Sequence, residues 1–545
     1  MQYITPFVVA MVVAVACLPL LTQIAARWRF VDEPGGRKVH TVAIPRIGGL
    51  AMASGVLVAA LAAIDLHPQD RWFLVAAGIL VIFGALDDRF DLDYRVKFIG
   101  QLLAVGIIVF AGDTEVRAIT LDDRVLLPAW ISLPITIFFL VGITNAVNLA
   151  DGLDGLAGGT TFLCLCAVAL LSSVGDHTAN TALCLAFAGA ILGFLRFNTY
   201  PATVFMGDAG SQLLGFAIGV LSLRATQNLA TQVSASIPIL LLAIPILDTL
   251  SVMMQRIAEG RSPFSPDKNH IHHKLLALGF GHHEAVMVIY TLQAALLIAA
   301  YFLRYESDLT ILAFVTAFFV VTITAMQAAA RFGWQLRGAQ PRTDSQLSRL
   351  VRIIQRPNLL PRFSYLAIVL GISFYAALIV LRTAALSSDI RALIVSLLVL
   401  ALALLVMLRA LSLSLVDKAA LYVTATVLVY LDTLVLPVDH LMTILTWIAV
   451  SIAAAATALR LRLHKDRRFQ ITPLDLIVLF MALVVSGLPG AFNLPHGGAL
   501  GIAKLLILFY SIEVLVSRSE DRAMWVRVAV VSALAGLTLR PFMPF

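Results

Sequence analysis

Long apolar runs recur along nearly the whole chain, separated by short polar stretches. Runs over 1–26, 96–112, 235–255, 284–303, 310–330 and 363–381 approach the roughly 20 residues that a helix needs to cross a bilayer. The pattern continues through 390–408, 418–435, 441–459, 473–487, 498–516 and 525–540. On this length rule the chain is an all-α, polytopic integral membrane protein with about 18 transmembrane helices. The first run is too long, and is followed by too many others, to be a cleaved signal peptide.

Composition agrees: 60% of the 545 residues are hydrophobic and only 13% are charged. The four cysteines, Cys17, Cys164, Cys166 and Cys184, lie inside apolar runs, so they read as small core residues rather than a disulfide framework or thiolate metal site. Charge placement sets the orientation. Arg27, Arg29, Arg37, Lys38 and Arg46 follow the first run, which predicts an outside (periplasmic) amino terminus and a cytoplasmic loop. Alternation then places 87–95, 147–158, 196–211, 256–283 and 331–362 on the cytoplasmic face. The last of these carries Arg331, Arg337, Arg342, Arg349, Arg352, Arg356 and Arg362 against the single acid Asp344. The net charge of +7 therefore reflects topology; no aromatic-basic repeat accompanies it, and nucleic acid is not expected as a partner. The organisation expected is a membrane core over 1–330, a basic cytoplasmic linker over 331–362, and an additional multi-helix module over 363–545. Asp432, Asp475 and Glu513 of that module have no partner visible in the sequence and read as structural or modulatory.

The polar residues that interrupt the core fall on one predicted face. Asp87 and Asp88 end an apolar run, where two adjacent carboxylates raise one proton affinity or invite a divalent cation. Lys97 follows at the start of the next run, placed for a lipid headgroup or an anionic substrate. Asn148, Asp151 and Asp154 recur at intervals of three, which on a helical turn makes a short polar row, and Gly152, Gly155, Gly158 and Gly159 let a ligand approach the backbone. Asp208 stands between Gly207 and Gly210, either as a cation ligand or as the cap of the following helix. Magnesium takes a few carboxylates together with waters and substrate phosphates, so Asp208, Asp151 and Asp154 suffice for Mg2+, and Mn2+ could substitute. Pro263 and Pro266 break the helix before His270, His272 and His273, which with Arg256, Arg261 and Lys268 form a donor-rich surface for phosphate or uridine. The crowded histidine spacing does not match a zinc motif, and His282 and His283 read as polar flanks. Lys38, His40 and the turn Pro45-Arg46-Ile47-Gly48-Gly49 add a cation and an imidazole to the same face.

Five ordered motifs over 1–330 resemble the polyprenyl-phosphate N-acetylhexosamine-1-phosphate transferases of bacterial membranes, in glycosyltransferase family 4. They are Lys38-x-His40 with Pro45-x-x-Gly48-Gly49, Leu86-Asp87-Asp88-Arg89, Asn145-x-x-Asn148-x-x-Asp151-Gly-x-Asp154-Gly, Phe205-Met206-Gly207-Asp208-x-Gly210-Ser211, and His270-Ile-His272-His273. The resemblance implies transfer of a sugar 1-phosphate from a UDP-sugar to undecaprenyl phosphate, giving a lipid-linked pyrophosphate and UMP at the bacterial inner membrane. It implies Asp208 as the first magnesium ligand, and Asp87 and Asp88 as groups that organise the lipid phosphate. Asn148, Asp151 and Asp154 would shape the nucleotide-sugar and metal site, Lys97 would be the cleft lysine, and the histidines the donor-handling loop. The segment 266–273 is closer to the GlcNAc-1-phosphate branch than to the muramoyl-pentapeptide branch, so UDP-GlcNAc is the expected donor, with another UDP-N-acetylhexosamine or a muramoyl-pentapeptide donor as the alternative. The product would start a cell-envelope glycan such as O antigen (lipopolysaccharide) or capsule, with a homodimer or other envelope-glycan enzymes as plausible partners. A proton-coupled transporter is the reading from a different class, and the concentration of motifs in inner loops argues against it.

Overall fold

A computed structural model describes residues 3–33, 43–121, 123–174, 177–227, 232–262, 269–335, 359–383, 413–435, 440–463, 498–516 and 523–539, with 391, 394, 395 and 398 between them. The described helices fall into two compact units. The first contains α1 (Ile4–Trp28), α2 (Gly48–Ala63), α3 (Pro68–Phe90), α4 (Tyr94–Phe110), α5 (Ala129–Ala150), α6 (Leu156–Val174), α7 (Thr178–Asn198), α8 (Gly207–Gln227), α9 (Ile237–Leu241), α10 (Ala243–Ala258), α11 (Ile271–Ala277), α12 (His282–Phe302) and α13 (Asp308–Arg331). The second contains α14 (Leu359–Arg382), α15 (Leu413–Tyr430) running into a π-helical turn Leu431–Val435, α16 (His440–Leu463), α17 (Gly498–Val516) and α18 (Ala523–Leu539).

In the first unit α8 is the central helix. It packs against α2, α3, α5 and α6, and its residues from Ala209 to Leu223 are buried all round, as an apolar helix inside a bundle must be. Two glycines let its amino-terminal end come so close. A Cβ on Gly49 of α2 would lie 2.2 Å from the Gly210 nitrogen, and one on Gly84 of α3 would lie 2.4 Å from the Ala209 Cα. Backbone-to-backbone contact of this kind is how helices associate where lipid supplies no hydrophobic drive.

The structure bears on the sequence expectation in three places. Seven described helices are long and apolar enough to cross a membrane by length and composition, α1, α5, α6, α7, α12, α13 and the 363–382 part of α14, which establishes a polytopic, mostly helical membrane protein and not a count near 18. The expected run 473–487 lies outside the described residues, as does most of 390–408. Second, the run 235–255 is not one span: it breaks at Leu242 into α9 and α10. Pro245 has no N–H for the Leu241 carbonyl, and its ring crowds that carbonyl, which favours a break in the turn before it. Third, two short strand pairings accompany the helices of this all-α fold. Val31–Asp32 pairs antiparallel with Ile44–Pro45 (β1, β2), and Ala118–Thr120 with Arg124–Leu126 (β3, β4). The 336–358 part of the expected linker lies outside the described residues.

Candidate active site

The amino-terminal end of α8 is placed by the carboxyl-terminal end of α3. Asp88, buried in the last turn of α3, accepts the Asp208 N–H on Oδ1 at 2.9 Å and the Ala209 N–H on Oδ2 at 3.1 Å. Helix termini leave such donors unsatisfied, and here a carboxylate from another helix takes two of them, where it also opposes the positive end of the helix dipole. Gly207 has φ +71°, and a Cβ there would lie 2.4 Å from Asp88 Oδ2, so both the backbone twist and the contact call for glycine. Asp208 therefore does not spend its side chain on capping its own helix.

That side chain meets Lys97, whose Nζ lies 3.3 Å from Asp208 Oδ2 and 2.5 Å from Asp87 Oδ2. Asp87 and Asp208 are also within hydrogen-bond reach of one another. Asp87 Oδ1 accepts the Leu92 N–H at 2.8 Å, which ties it to the turn between α3 and α4. Asp87 and Asp88 are adjacent, yet their outlets differ: one faces Lys97 and Asp208, the other the backbone of α8. Lys97 and Asp208 keep 28% and 31% of their side-chain surface exposed, so an anion can reach them. One turn deeper, Gln101 and Asn145 exchange amide hydrogen bonds (Asn145 Nδ2 to Gln101 Oε1, 2.8 Å; Gln101 Nε2 to Asn145 Oδ1, 3.2 Å), and Gln101 also donates to Gln212 Oε1 at 3.2 Å. This amide layer lies four residues from Lys97 and from Asp208, so it shares their helix faces.

The 148–155 segment departs from the helical row expected of it. α5 ends at Ala150, Asp151 is its cap, and α6 starts only at Leu156. Gly155 at φ +81° makes the break. The loop is pinned from three sides: Asp154 Oδ2 accepts the Ala202 N–H (2.9 Å), Asn198 Oδ1 accepts the Gly155 N–H (2.9 Å), and Tyr290 donates to the Gly155 carbonyl (2.6 Å). Asn148 stays in the last turn of α5, half-buried, its carbonyl accepting the Asp151 N–H at 3.2 Å. Desolvation of the Asp151 carboxyl, then the charges of Asp208 and Asp154, push it up to about 7 against the opposing pull of Arg46. Arg46 is ion-paired with Asp32, and its charge also reaches Asp88 and Asp208.

The histidines form the facing wall. Asp248, buried on α10 just past the break, binds His270 Nδ1 at 2.9 Å with Oδ2 and accepts the Ile271 N–H at 2.6 Å with Oδ1. One carboxylate thus orients the first imidazole and starts α11. His272 is buried, its ring 4.3 Å from that of His273 and 5.7 Å from that of His270, and a Cβ on Gly152 would lie 2.4 Å from His272 Nε2. The histidine segment thus lies directly on the Asp151 loop. Burial, and then the His273 charge, push His272 down to about 4, which keeps it neutral. His282 and His283 pack on Tyr200, with centroids at 4.3 and 5.1 Å.

Of the remaining sequence candidates, Arg256 is buried on α10, Arg261 is exposed and pairs with Glu259 at 3.0 Å, and Lys38, His40 and Lys268 lie outside the described residues. Asp248, Gln101 and Gln212 were not singled out from sequence. An acid in the otherwise apolar 235–255 run was the available signal for Asp248; the glutamines carried none. Among the described residues no three His, Cys, Asp or Glu side chains converge as a complete metal cage. Asp87 and Asp208, which meet at Lys97, offer one or two protein oxygens, the number that Mg2+ takes when water and phosphate complete its shell.

Comparison with known proteins bears on the same stretch of chain. The glycosyl transferase family 4 model matches residues 71–226, from α3 through α8. The chain is 37% identical over 308 residues to a probable undecaprenyl-phosphate N-acetylglucosaminyl 1-phosphate transferase of Bacillus subtilis (strain 168), covering 56% of this chain and 85% of the relative. A decaprenyl-phosphate N-acetylglucosaminephosphotransferase of Mycolicibacterium smegmatis is 38% identical, covering 49% of this chain and 73% of the relative. An undecaprenyl-phosphate alpha-N-acetylglucosaminyl 1-phosphate transferase of Escherichia coli (strain K12) is 35% identical, covering 50% of this chain and 76% of the relative. This chain belongs to glycosyl transferase family 4.

Proposed function

We propose that the first unit transfers N-acetylglucosamine 1-phosphate from UDP-GlcNAc to undecaprenyl phosphate, releasing UMP and starting a cell-envelope glycan. The names of the similar proteins support the substrates, and the Lys97–Asp87–Asp208 constellation is the observation that carries the chemistry. An oxygen of the lipid phosphate forms a bond to the sugar-linked phosphorus of the donor. The bond from that phosphorus to the bridging oxygen breaks, and UMP leaves with the electron pair. A phosphate monoester, with its second pKa about 6, is largely dianionic near neutral pH, so the nucleophile needs placing more than deprotonating. Lys97 holds that phosphate by charge, and Asp87, fixed through the Leu92 N–H, sets where Lys97 points.

Asp208, with Asp87 and Asp151 nearby, would hold Mg2+ (or Mn2+), which neutralises charge growing on the phosphoryl and leaving oxygens. Asp88 acts through backbone, by holding the start of α8. Asp154 holds the loop that presents Asp151, and Asn148 ends the helix before it. His270, His272 and His273 line the donor side; a neutral His272 suits hydrogen bonding to the uridine or sugar rather than charge pairing. Arg256, Arg261, Lys38 and His40 complete the donor surface in this reading. The site faces the cytoplasm of the bacterial inner membrane, where nucleotide sugars are made, with the amino terminus periplasmic.

The test is UMP release by purified protein given undecaprenyl phosphate, Mg2+ and a panel of UDP-sugars, with Asp208→Ala and Asp151→Ala as folded controls. Turnover is expected with UDP-GlcNAc, dependent on lipid phosphate and Mg2+. No UMP from any donor with folded protein would overturn the assignment. Faster turnover of another UDP-sugar would keep the reaction and change the donor.

A further inference from the structure

The second unit buries charges that the transferase reading does not use. Asp432 sits in the π-helical turn Leu431–Val435 that ends α15. Its Oδ2 is 2.6 Å from Lys504 Nζ of α17 and accepts the Tyr375 hydroxyl of α14 at 3.2 Å; its Oδ1 accepts Arg382 Nη1 of α14 at 2.6 Å. Lys504 also donates to Thr446 Oγ1 of α16 at 3.0 Å and lies 5.1 Å from the Trp447 ring centroid. Asp432, Lys504 and Tyr375 are all buried. The sequence alone left Asp432 without a partner; the structure supplies three, from two other helices.

An apolar layer would hold four helices together at least as firmly as buried ions do, so architecture alone does not account for this cluster. Ionisable groups kept inside membrane helices mark sites by default, and π-helical turns concentrate at functional positions. The donors also suggest the ligand. A guanidinium, an ammonium and a phenol from two helices converge on a single anionic position, and Arg with Lys is the pair that recognises phosphate. Depth fits as well. Arg382 is the last residue of α14, Asp432 lies just past the end of α15, and Thr446 and Lys504 lie within two turns of the starts of α16 and α17, which is close to headgroup level. The opposite ends of α14 and α16 adjoin the Arg-rich 331–362 segment and Arg460 to Arg468, so the positive-inside rule puts this cluster toward the non-cytoplasmic face.

We propose that this cluster is a binding site for the phosphate of an anionic lipid, with Lys504 and Arg382 as its cationic donors and the Asp432 carboxylate holding their place when no phosphate is bound. The experiment is native mass spectrometry of the full-length protein released from detergent with phosphatidylglycerol, undecaprenyl phosphate or phosphate-free diacylglycerol. Wild type is compared with Asp432→Asn and with the charge-balanced pair Asp432→Asn plus Lys504→Gln. Removing the competing carboxylate should tighten binding of a phosphate lipid in Asp432→Asn, and removing the ammonium as well should weaken it about tenfold relative to that single variant, the scale of one charge-assisted hydrogen bond. Whichever phosphate lipid shows the difference identifies the source. UMP release, which belongs to the other unit, should be unchanged in both variants, and a thermal melt of each variant in detergent, followed by helical circular dichroism, reports whether the second unit is folded. Equal retention by all three proteins, or retention of diacylglycerol as strong as that of the phosphate lipids, would overturn the proposal. If the double variant does not fold, Asp432→Asn alone still decides: no gain over wild type for either phosphate lipid refutes it.

Discussion

Asp88→Ala tests whether this carboxylate works through backbone or through substrate. The variant removes acceptors for the Asp208 and Ala209 N–H groups, at 2.9 and 3.1 Å. Loss of a helix cap costs about 0.5–2 kcal/mol, and hydrogen bonds to a charged group are worth about 1.5–3 kcal/mol. Some of this returns because the variant has no carboxylate to bury, so about 1–3 kcal/mol is expected at the start of α8. Local opening should rise accordingly, and amide hydrogen exchange over 207–212 should quicken by about 5- to 150-fold, with a lower thermal midpoint in detergent. Activity should fall as well, since displacing a reacting group by about 1 Å costs on the order of 100-fold, and Asp208 moves with its helix. Gly207→Ala, whose Cβ would meet Asp88 Oδ2 at 2.4 Å, should give the same exchange signature with every carboxylate retained. Loss of activity in Asp88→Ala with unchanged exchange and unchanged thermal midpoint would refute the capping role and return Asp88 to direct chemistry.

Lys97→Met leaves Asp87 and Asp208 facing each other without a cation and should lower kcat by about 100-fold or more; activity within threefold of wild type would exclude Lys97 from the site. Asp248→Ala unties His270 and the start of α11, so KM for the UDP-sugar should rise about tenfold with a smaller change in kcat, and an effect confined to kcat would contradict a donor-side role. His272 ionises near 4 when folded and near 6.5 when unfolded. Below pH 6.5 the unfolded chain therefore binds the extra proton, and stability falls as pH drops from 6.5 toward 4, then levels off. His272→Asn should flatten that part of the pH–stability curve, and an unchanged slope would show that His272 does not cause it. EDTA should abolish UMP release and added Mg2+ should restore it; full activity in EDTA would exclude a metal at Asp208.

Much of the site was legible because the bilayer makes polar residues conspicuous. Asp87, Asp88, Lys97, Asp151, Asp154, Asp208 and the 270–273 histidines stand out against apolar runs, and the structure brings Asp87, Lys97 and Asp208 together across more than a hundred residues of chain. Their division of labour was not legible. Nothing in the Asp87-Asp88 pair says which one faces Lys97 and which one faces the backbone of α8. Asp248 was visible as an acid in an apolar run, but nothing local names His270 as its partner, and Gln101 and Gln212 have no local signature, because their hydrogen bonds are to residues distant in sequence.

Local composition by itself determined that this is a helical membrane protein, since some twenty apolar residues in a row satisfy their backbone groups in a bilayer only as a helix. It also determined where the loops carry charge. Tertiary structure decided that Asp151 and Asp154 sit in a pinned loop rather than on a helical row. It decided too that Asp432 meets Lys504 and Arg382. The reason is common to all of these: they depend on hydrogen bonds and packing between segments far apart in the chain, and a pattern read along one segment carries no information about the partner it will meet.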